Sequence, residues 1–215
     1  MESVFFYLLK DISMHFLNKS KFLSASLLLS LSPIAIAGEF SYDYAEGTYQ
    51  SISDSSISGV DLDATGFSFS GSFSLSEVIA FNAGYGSASY DTYQGVDIDS
   101  TSFTFGIIGH TQVSPNTDIN VGFSILNGDA EATDGVTTIS DDDTGNIIGF
   151  GLRHMLNESS ELDFSFSRTD IFDDTSTTIG FGVRFYTESN ISFGVGYSTG
   201  DDVDALLFNA RLGTQ

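Results

Sequence analysis

The amino-acid sequence predicts an all-β chain: a closed, antiparallel, up-and-down transmembrane β-barrel of about ten strands, with eight as the alternative count. Three observations lead there. Period-2 alternation recurs from residue 39 onward: 67–75 read F-S-F-S-G-S-F-S-L, 119–125 read I-N-V-G-F-S-I and 179–185 read I-G-F-G-V-R-F. Alternation of this kind gives a strand two chemically different faces. Of the 16 Phe after residue 38, fifteen fall on one parity of these segments, and only Phe172 falls in a connection. The opposite parity is mainly Ser, Gly, Thr, Asn and Ala, and no Lys follows Lys21.

The chain begins with a different pattern. Residues 22–37 read FLSASLLLSLSPIAIA, preceded by Lys19 and Lys21 and ending in Ala35-Ile36-Ala37. A basic flank, a short apolar run and a small-x-small terminus describe a cleavable export signal. The run is short for a transmembrane helix, which needs about 20 apolar residues, and Pro33 interrupts it. Residues 1–37 are therefore expected to be a signal peptide, with translation starting at Met14, and residues 38–215 a single barrel domain. Removing Glu2 and Asp11 with the signal leaves 27 acids against Arg153, Arg168, Arg184 and Arg211, a formal charge of −23. The whole chain stands at −22, and such a balance argues against nucleic-acid binding, which needs clustered cations. The absence of Cys excludes disulfides, thiolate metal sites and thiol catalysis.

Ten segments fit the alternation: 39–50, 63–75, 79–90, 101–113, 118–128, 145–156, 161–171, 176–186, 190–199 and 203–213. Short connections at 76–78, 114–117, 157–160 and 187–189 alternate with longer ones at 51–62, 91–100, 129–144, 172–175 and 200–202. The longer set holds most of the acids. Its longest member, DAEATDGVTTISDDDT, is polar and aperiodic and predicts a mobile loop. Gly-Phe-Gly-aliphatic-Arg recurs at 149–153 and 180–184, a weak hairpin repeat.

A soluble β-sandwich with a Phe core would carry Lys, Glu and Thr on its outer face. Here the second face is too small and too rich in Gly. The pattern fits better turned inside out, with Phe against lipid and small polar residues inside. Spanning strands must then close, because lipid offers no partner to an unpaired N–H or C=O. Tyr42, Tyr44, Tyr49, Tyr85, Tyr90, Tyr93, Tyr186 and Tyr197 lie near segment ends, where interfacial Tyr is favoured.

Signal segment, alternating strands, short turns on one side and longer connections on the other together resemble the small outer-membrane β-barrel superfamily of Gram-negative bacteria, including opacity-type and porin-like proteins. The resemblance covers residues 38–215. It implies location in the cell outer membrane, termini in the periplasm, and contact with outer-membrane lipid, lipopolysaccharide and the outer-membrane assembly machinery, as a monomer without a cofactor. The family commonly ends in an aromatic residue; this chain ends Arg211-Leu212-Gly213-Thr214-Gln215, with Phe208 its last outward aromatic.

The inward parity takes Arg153, Arg184 and Arg211, with His110 at a comparable height. Asp43, Asp163 and Asp118 are their expected carboxylate partners, because a buried guanidinium needs one. This group is read as a salt-bridge network or a constriction. Asp141, Asp142, Asp143, Asp201 and Asp202 are candidates for weak divalent-cation contact, since carboxylate oxygens suit Ca²⁺ and Mg²⁺. Their spacing matches no EF-hand, so no specific metal site is expected. No phosphate loop, metal triad or nucleophile–base pair stands out, and the chain is expected not to be an enzyme. The functions that remain are a structural or surface-interaction barrel with a narrow polar lumen, a small-solute channel, or a soluble secreted binding module.

Overall fold

Ten antiparallel strands close on themselves in the computed structural model, which describes residues 40–57, 60–187, 189–201 and 203–213. The expected signal segment 1–37 and the candidate Asp202 lie outside the described residues. In chain order the strands are β1 (Tyr44–Ile57), β2 (Val60–Ser76), β3 (Ile79–Tyr93), β4 (Val96–Ser114), β5 (Thr117–Thr133), β6 (Thr138–Asn157), β7 (Ser160–Ile171), β8 (Asp174–Tyr186), β9 (Ile191–Gly200) and β10 (Val203–Gly213). Each pairs with its sequence neighbour, and β1 pairs with β10 from Tyr44↔Gly213 to Asp54↔Val203. Within lipid the sheet has no free edge and no second layer, so the sandwich alternative and the eight-strand count both fall away.

The outward face is the expected aromatic belt. Phe67, Phe69, Phe73, Phe103, Phe105, Phe123, Phe181, Phe185, Phe193 and Phe208 are all exposed on the outside of the barrel. Phe40 departs from the pattern: it precedes β1 and lies beside the Arg153 guanidinium, inside. The reason is local. Aromatic residues at 40, 42 and 44 alternate as a lipid-facing strand would, but in β1 the inward residues are Tyr44, Glu46, Thr48 and Gln50. The outward ones include Ala45 and Tyr49. Tyr42, Tyr44 and Tyr90 are likewise buried and do not join an interfacial belt.

The long acidic connections are not loops. β5 runs to Thr133 and β6 starts at Thr138, so only 134–137 turns where a mobile loop over 129–144 was expected. Cross-strand register continues unbroken from Asp118↔Arg153 to Thr133↔Thr138. Residues 51–57 and 96–100 likewise extend β1 and β4. The cause is an inversion of polarity along each strand. In β4 the outward residues Phe103, Phe105 and Ile107 give way to Asp97 and Asp99, while the inward Ser102 and Thr104 give way to Val96 and Ile98. Period 2 survives, but the apolar residues change faces where the strand leaves lipid. The inward apolar residues there, Ile52, Leu62, Tyr90, Val96, Ile98 and Val203, form one buried cluster. Leu126, Ile147 and Ile171 form a second, with Phe172 packed on it.

Tight hairpins close this end. Gln94 and Gly95 have φ of 52° and 83°, and Phe172 and Asp173 have φ of 53° and 57°. Two consecutive left-handed residues give the turn whose twist matches a two-residue hairpin. In the β5–β6 turn, Asp134 Oδ1 accepts hydrogen bonds from the backbone N–H groups of Val136 (2.9 Å) and Thr137 (2.6 Å). These bonds favour the ionised carboxylate and hold its pKa below the usual Asp value, the Thr137 bond contributing most. A folded pKa below the unfolded one contributes stability above the unfolded value and loses it as pH falls through the folded one. The Thr137 amide resonance of the protein in micelles is therefore expected to titrate with a midpoint below 3.8, and Asp134→Asn should abolish that titration.

Candidate functional site in the lumen

The turns β2–β3, β4–β5 and β6–β7 and the chain's first described residues mark one mouth of the barrel. Above it the inward side chains of eight strands converge. Glu46 of β1 stands opposite Arg211 of β10 in the closing register. Its Oε2 accepts from Arg211 Nη2 at 2.9 Å and from Arg184 Nη2 of β8 at 2.7 Å. Arg184 Nη1 also donates to Ser192 Oγ of β9 at 3.3 Å. One carboxylate thus joins β1, β8 and β10.

A second pair lies farther round the wall. Arg153 of β6 donates to Glu161 of β7 through Nε at 3.1 Å and Nη2 at 2.8 Å, a two-pronged pair with both side chains fully buried. Tyr186 of β8 donates its hydroxyl to the same Glu161 Oε2 at 3.1 Å. Bidentate, charge-assisted bonds of this kind are the strong ones. Aromatic faces complete the guanidinium environment: Arg211 lies 4.6 Å from the Tyr44 ring centroid, and Arg153 lies 4.9 Å from Phe40 and 5.7 Å from Tyr42.

The third group joins β4 and β5. His110 stacks on Tyr42 with centroids 3.7 Å apart, and its Nδ1 lies 3.7 Å from Asp118 Oδ2. The Tyr42 hydroxyl donates to Asp118 Oδ1 at 3.0 Å.

The expected arginines and His110 therefore share one site with Asp118, which meets His110, and with Asp163, which lies within charge range of Arg184; Asp43 is not part of it. Asp43 sits on the other parity from Tyr42 and Tyr44, and its Oδ1 accepts from the Ser74 N–H at 2.5 Å. That is the consequence of the reversed parity of β1: had Phe40 faced lipid, Asp43 would have faced in. The same reversal hid Glu46. Asp163 is on the inward parity and lies directly opposite Gly182, where no Cβ stands against its carboxylate. It shares a lumen cavity with Arg184, while Arg153 pairs with Glu161 and Arg184 with Glu46. Glu161 was obscured by its place at the edge of a Asn-Glu-Ser-Ser turn. Arg168 faces outward and meets Asp170 at 3.5 Å, both exposed, a pair worth little.

The divalent-cation candidates do not converge. Asp143 Oδ2 accepts from the Phe172 N–H at 2.5 Å, and Asp201 Oδ2 from the Thr177 N–H at 2.5 Å. Asp141 and Asp142 are exposed on opposite parities of β6. Among the described residues no three His, Asp or Glu side chains stand close enough to hold a metal ion.

Between the charged layer and the apolar clusters lies a band of small polar residues: Thr48, Gln50, Ser68, Asn82, Thr104, Asn120 and Ser124 are all buried there. A closed barrel with an aromatic outer belt, an internally compensated charge layer and an inverted, acid-faced extension is a transmembrane β-barrel of the outer-membrane type. Residues 22–198 match the family model of the outer membrane protein beta-barrel domain, and the chain belongs to that family. Its members are barrels of the outer membrane, which is the location of this chain. Among solved structures, the translocator domain of autotransporter NalP from Neisseria meningitidis is 9% identical with a TM-score of 0.51, covering 80% of this chain and 87% of its own. Neisserial surface protein A is 12% identical with a TM-score of 0.49, covering 81% and 98%. The attachment invasion locus protein Ail of Yersinia pestis is 13% identical with a TM-score of 0.42, covering 80% and 95%. At these identities the likeness is one of fold. No curated protein matches the chain in sequence.

Removing one member of a buried ion pair leaves the other charge uncompensated, at a cost of about 3–5 kcal/mol. Glu46→Gln, which strips the carboxylate from two guanidinium groups, is expected to lower unfolding stability in micelles by that amount. Asp43→Asn, outside the network, should stay within about 1 kcal/mol. Urea titration followed by tryptophan-independent circular dichroism and heat-modifiable gel migration reads both.

Proposed function

We propose that the protein is a non-enzymatic outer-membrane barrel with a closed lumen and a structural or surface-interaction role. The observation that carries this is the apolar plug. Ile52, Leu62, Val96, Ile98 and Val203 are each buried on the inward face at the end away from the charged layer. A solute path would have to cross that cluster. The cavity beside Ser165, Gly180, Gly194 and Asn209 holds about 30 Å³, room for a water or two and for no larger solute.

A small-solute channel is the second reading, and one observation favours it. Buried polar atoms of Gln50, Thr104, Asn120, Ser124, Ser198 and Asn209 have no hydrogen-bond partner within the protein. Buried polar atoms want partners, which a hydrated lumen would supply. Planar-bilayer recording separates the two readings: the wild-type protein is expected to give no unitary current steps, and a steady open channel would overturn the closed-lumen reading.

Non-enzymatic character is supported by the state of both described histidines. His110 is stacked and enclosed in the lumen, and His154 faces outward with its Nδ1 3.0 Å from Thr117 Oγ1. Neither stands beside a nucleophile and an orienting carboxylate in an accessible cleft. Export through the 1–37 signal and delivery by the outer-membrane assembly machinery belong to the same reading.

The proposed partner at the surface is lipopolysaccharide, bridged by divalent cations. Outward acids Asp63, Asp99, Asp129 and Asp142 follow the last lipid-facing aromatics of their strands, at headgroup height. Asp129 and Asp142 stand opposite each other in register, as do Asp99 and Glu131. Like charges placed so are destabilising unless a cation intervenes. Co-purification of lipopolysaccharide with the monomeric barrel should fall when EDTA is added and return with Mg²⁺; insensitivity to both would remove the bridge.

A further inference from the structure

The strands end at different heights above the lipid, and the difference opens one edge of the sheet. β6 begins at Thr138, but its pairing with β7 begins only at Asn146↔Asp170. β7 reaches Ile171, and the chain then turns back into β8 at Asp174. That turn touches β6 once more, where the Phe172 N–H donates to Asp143 Oδ2. Beyond this contact, residues 138–142 pair with β5 from Asp129↔Asp142 to Thr133↔Thr138. No described strand stands on their other side.

The ladder fixes where the backbone groups of this edge point. The Met155 N–H donates to the Asn116 carbonyl, on the β5 side. In an antiparallel pair, successive residues turn their N–H and C=O groups alternately toward and away from the partner strand. The β5–β6 register runs without a shift from Thr117↔His154 to Thr133↔Thr138. Odd-numbered residues of β6 therefore bond to β5. The hairpin agrees, because the Asp134 N–H donates to the carbonyl of Thr137 across the turn. Even-numbered residues face the other neighbour. The Thr144 N–H is taken by Asp143 Oδ1. The N–H and C=O groups of Thr138, Ser140 and Asp142 point out of the sheet at its open edge, and all three residues are exposed.

An open edge is a template for another strand, and its side chains decide which strand fits. Asp141 and Asp142 project on opposite faces, both exposed, with Asp143 next in line. On β5, Asp129 and Glu131 stand opposite Asp142 and Ser140. Two copies of this edge would set one row of carboxylates beside another, which like-charge repulsion disfavours. The chain offers no complement of its own. No Lys follows Lys21, Arg153, Arg184 and Arg211 are buried, and Arg168 meets Asp170.

We propose that residues 138–142 of β6 dock an extended, Lys- or Arg-rich segment of another protein as an added strand, in the space that a longer β7 would fill. The edge is about 17 Å long at 3.4 Å per residue. Its carboxylates attract the cationic segment and turn away a second copy of the chain. Its unpaired N–H and C=O groups bind the main chain of the partner and set the register. The inference rests on the surface-interaction role and names the kind of partner that role takes.

The probe is a fluorescein-labelled peptide, Lys-Lys-Val-Lys-Lys-Thr-Lys, which carries cations on both faces of a strand. Its counterpart with every backbone nitrogen methylated keeps the charge and loses the donors. Binding is read by anisotropy with the barrel in zwitterionic micelles, free of lipopolysaccharide and with EDTA present, so that no divalent bridge competes. The first peptide is expected to bind saturably, and the methylated one at least about tenfold more weakly, since several hydrogen bonds are lost. Ser140→Pro removes one outward N–H that β5 does not use and should weaken binding about threefold or more. Asp141→Asn with Asp142→Asn should weaken it at low salt and lessen its salt dependence. Heat-modifiable migration checks that each variant barrel is folded. Equal affinity for the two peptides would reduce the edge to a patch of charge and overturn the added strand, as would the absence of saturable binding to the wild type. A bilayer current from the wild type would instead strike at the closed-barrel surface role, so the two failures are distinct.

Discussion

In hydrocarbon, every backbone N–H and C=O must find its partner within the protein, and this requirement organises the rest of the structure. It forces β1 onto β10, and closure creates an interior cut off from bulk water. Any charge left inside must then be compensated there, because isolated desolvated charges are far more costly than paired ones. Glu46 answers that demand at the seam itself. It stands in the closing strand pair and accepts from Arg211 across the seam and from Arg184 two strands beyond. The same carboxylate that neutralises two guanidinium groups therefore also ties the last strands to the first.

The barrel obeys two solvents along one continuous strand. Within lipid the outward parity is Phe and Ile and the inward parity is Ser, Thr and Gly. Beyond lipid the outward parity is Asp and Glu, and the inward parity is Ile, Val and Leu. Nothing in the backbone marks the change, since register runs through it without a shift in β5–β6. The extension is long on β2–β6, which span 15 to 20 residues, and short on β7–β10, which span 10 to 13. The acid-faced wall is thus carried by one half of the barrel, as a soluble sheet with its own small core grafted onto a membrane one.

Strand number, strand order and the lipid-facing belt were legible because each rests on period 2 with Phe as its marker. The Phe-rich segments of β2, β8 and β9 read correctly almost to their ends. β1 misled because Phe40, Tyr42 and Tyr44 imitate a lipid-facing run while filling the lumen. One such inversion exchanged Asp43 for Glu46 as the seam carboxylate. The acidic extensions misled for another reason. Dense Asp and scattered Thr look like a loop when apolar residues are sought on the Phe parity, whereas the inward apolar residues at 96, 98, 132 and 139 carry the alternation on the other. Glu161 could not be singled out because its neighbours form a turn, and only the three-dimensional approach of Arg153 distinguishes it from Glu158.

The absence of Lys from residues 38–215 follows from the same geometry. The outer face offers lipid or a carboxylate-rich wall, and the interior offers narrow, crowded positions. An ammonium is a compact point charge that must keep its hydration or find several acceptors. A guanidinium is planar, less strongly hydrated, and presents several donors in a fixed fork. Arg153 uses that fork on both oxygens of Glu161 while its face meets Phe40 and Tyr42. Arg211 meets Glu46 with its edge and Tyr44 with its face. A Lys at either position would lose one of the two contacts. The rings and the arginines are therefore matched: Phe40 and Tyr42 cover a face of Arg153 that Glu161 leaves free, and Tyr44 covers a face of the seam residue Arg211 that Glu46 leaves free.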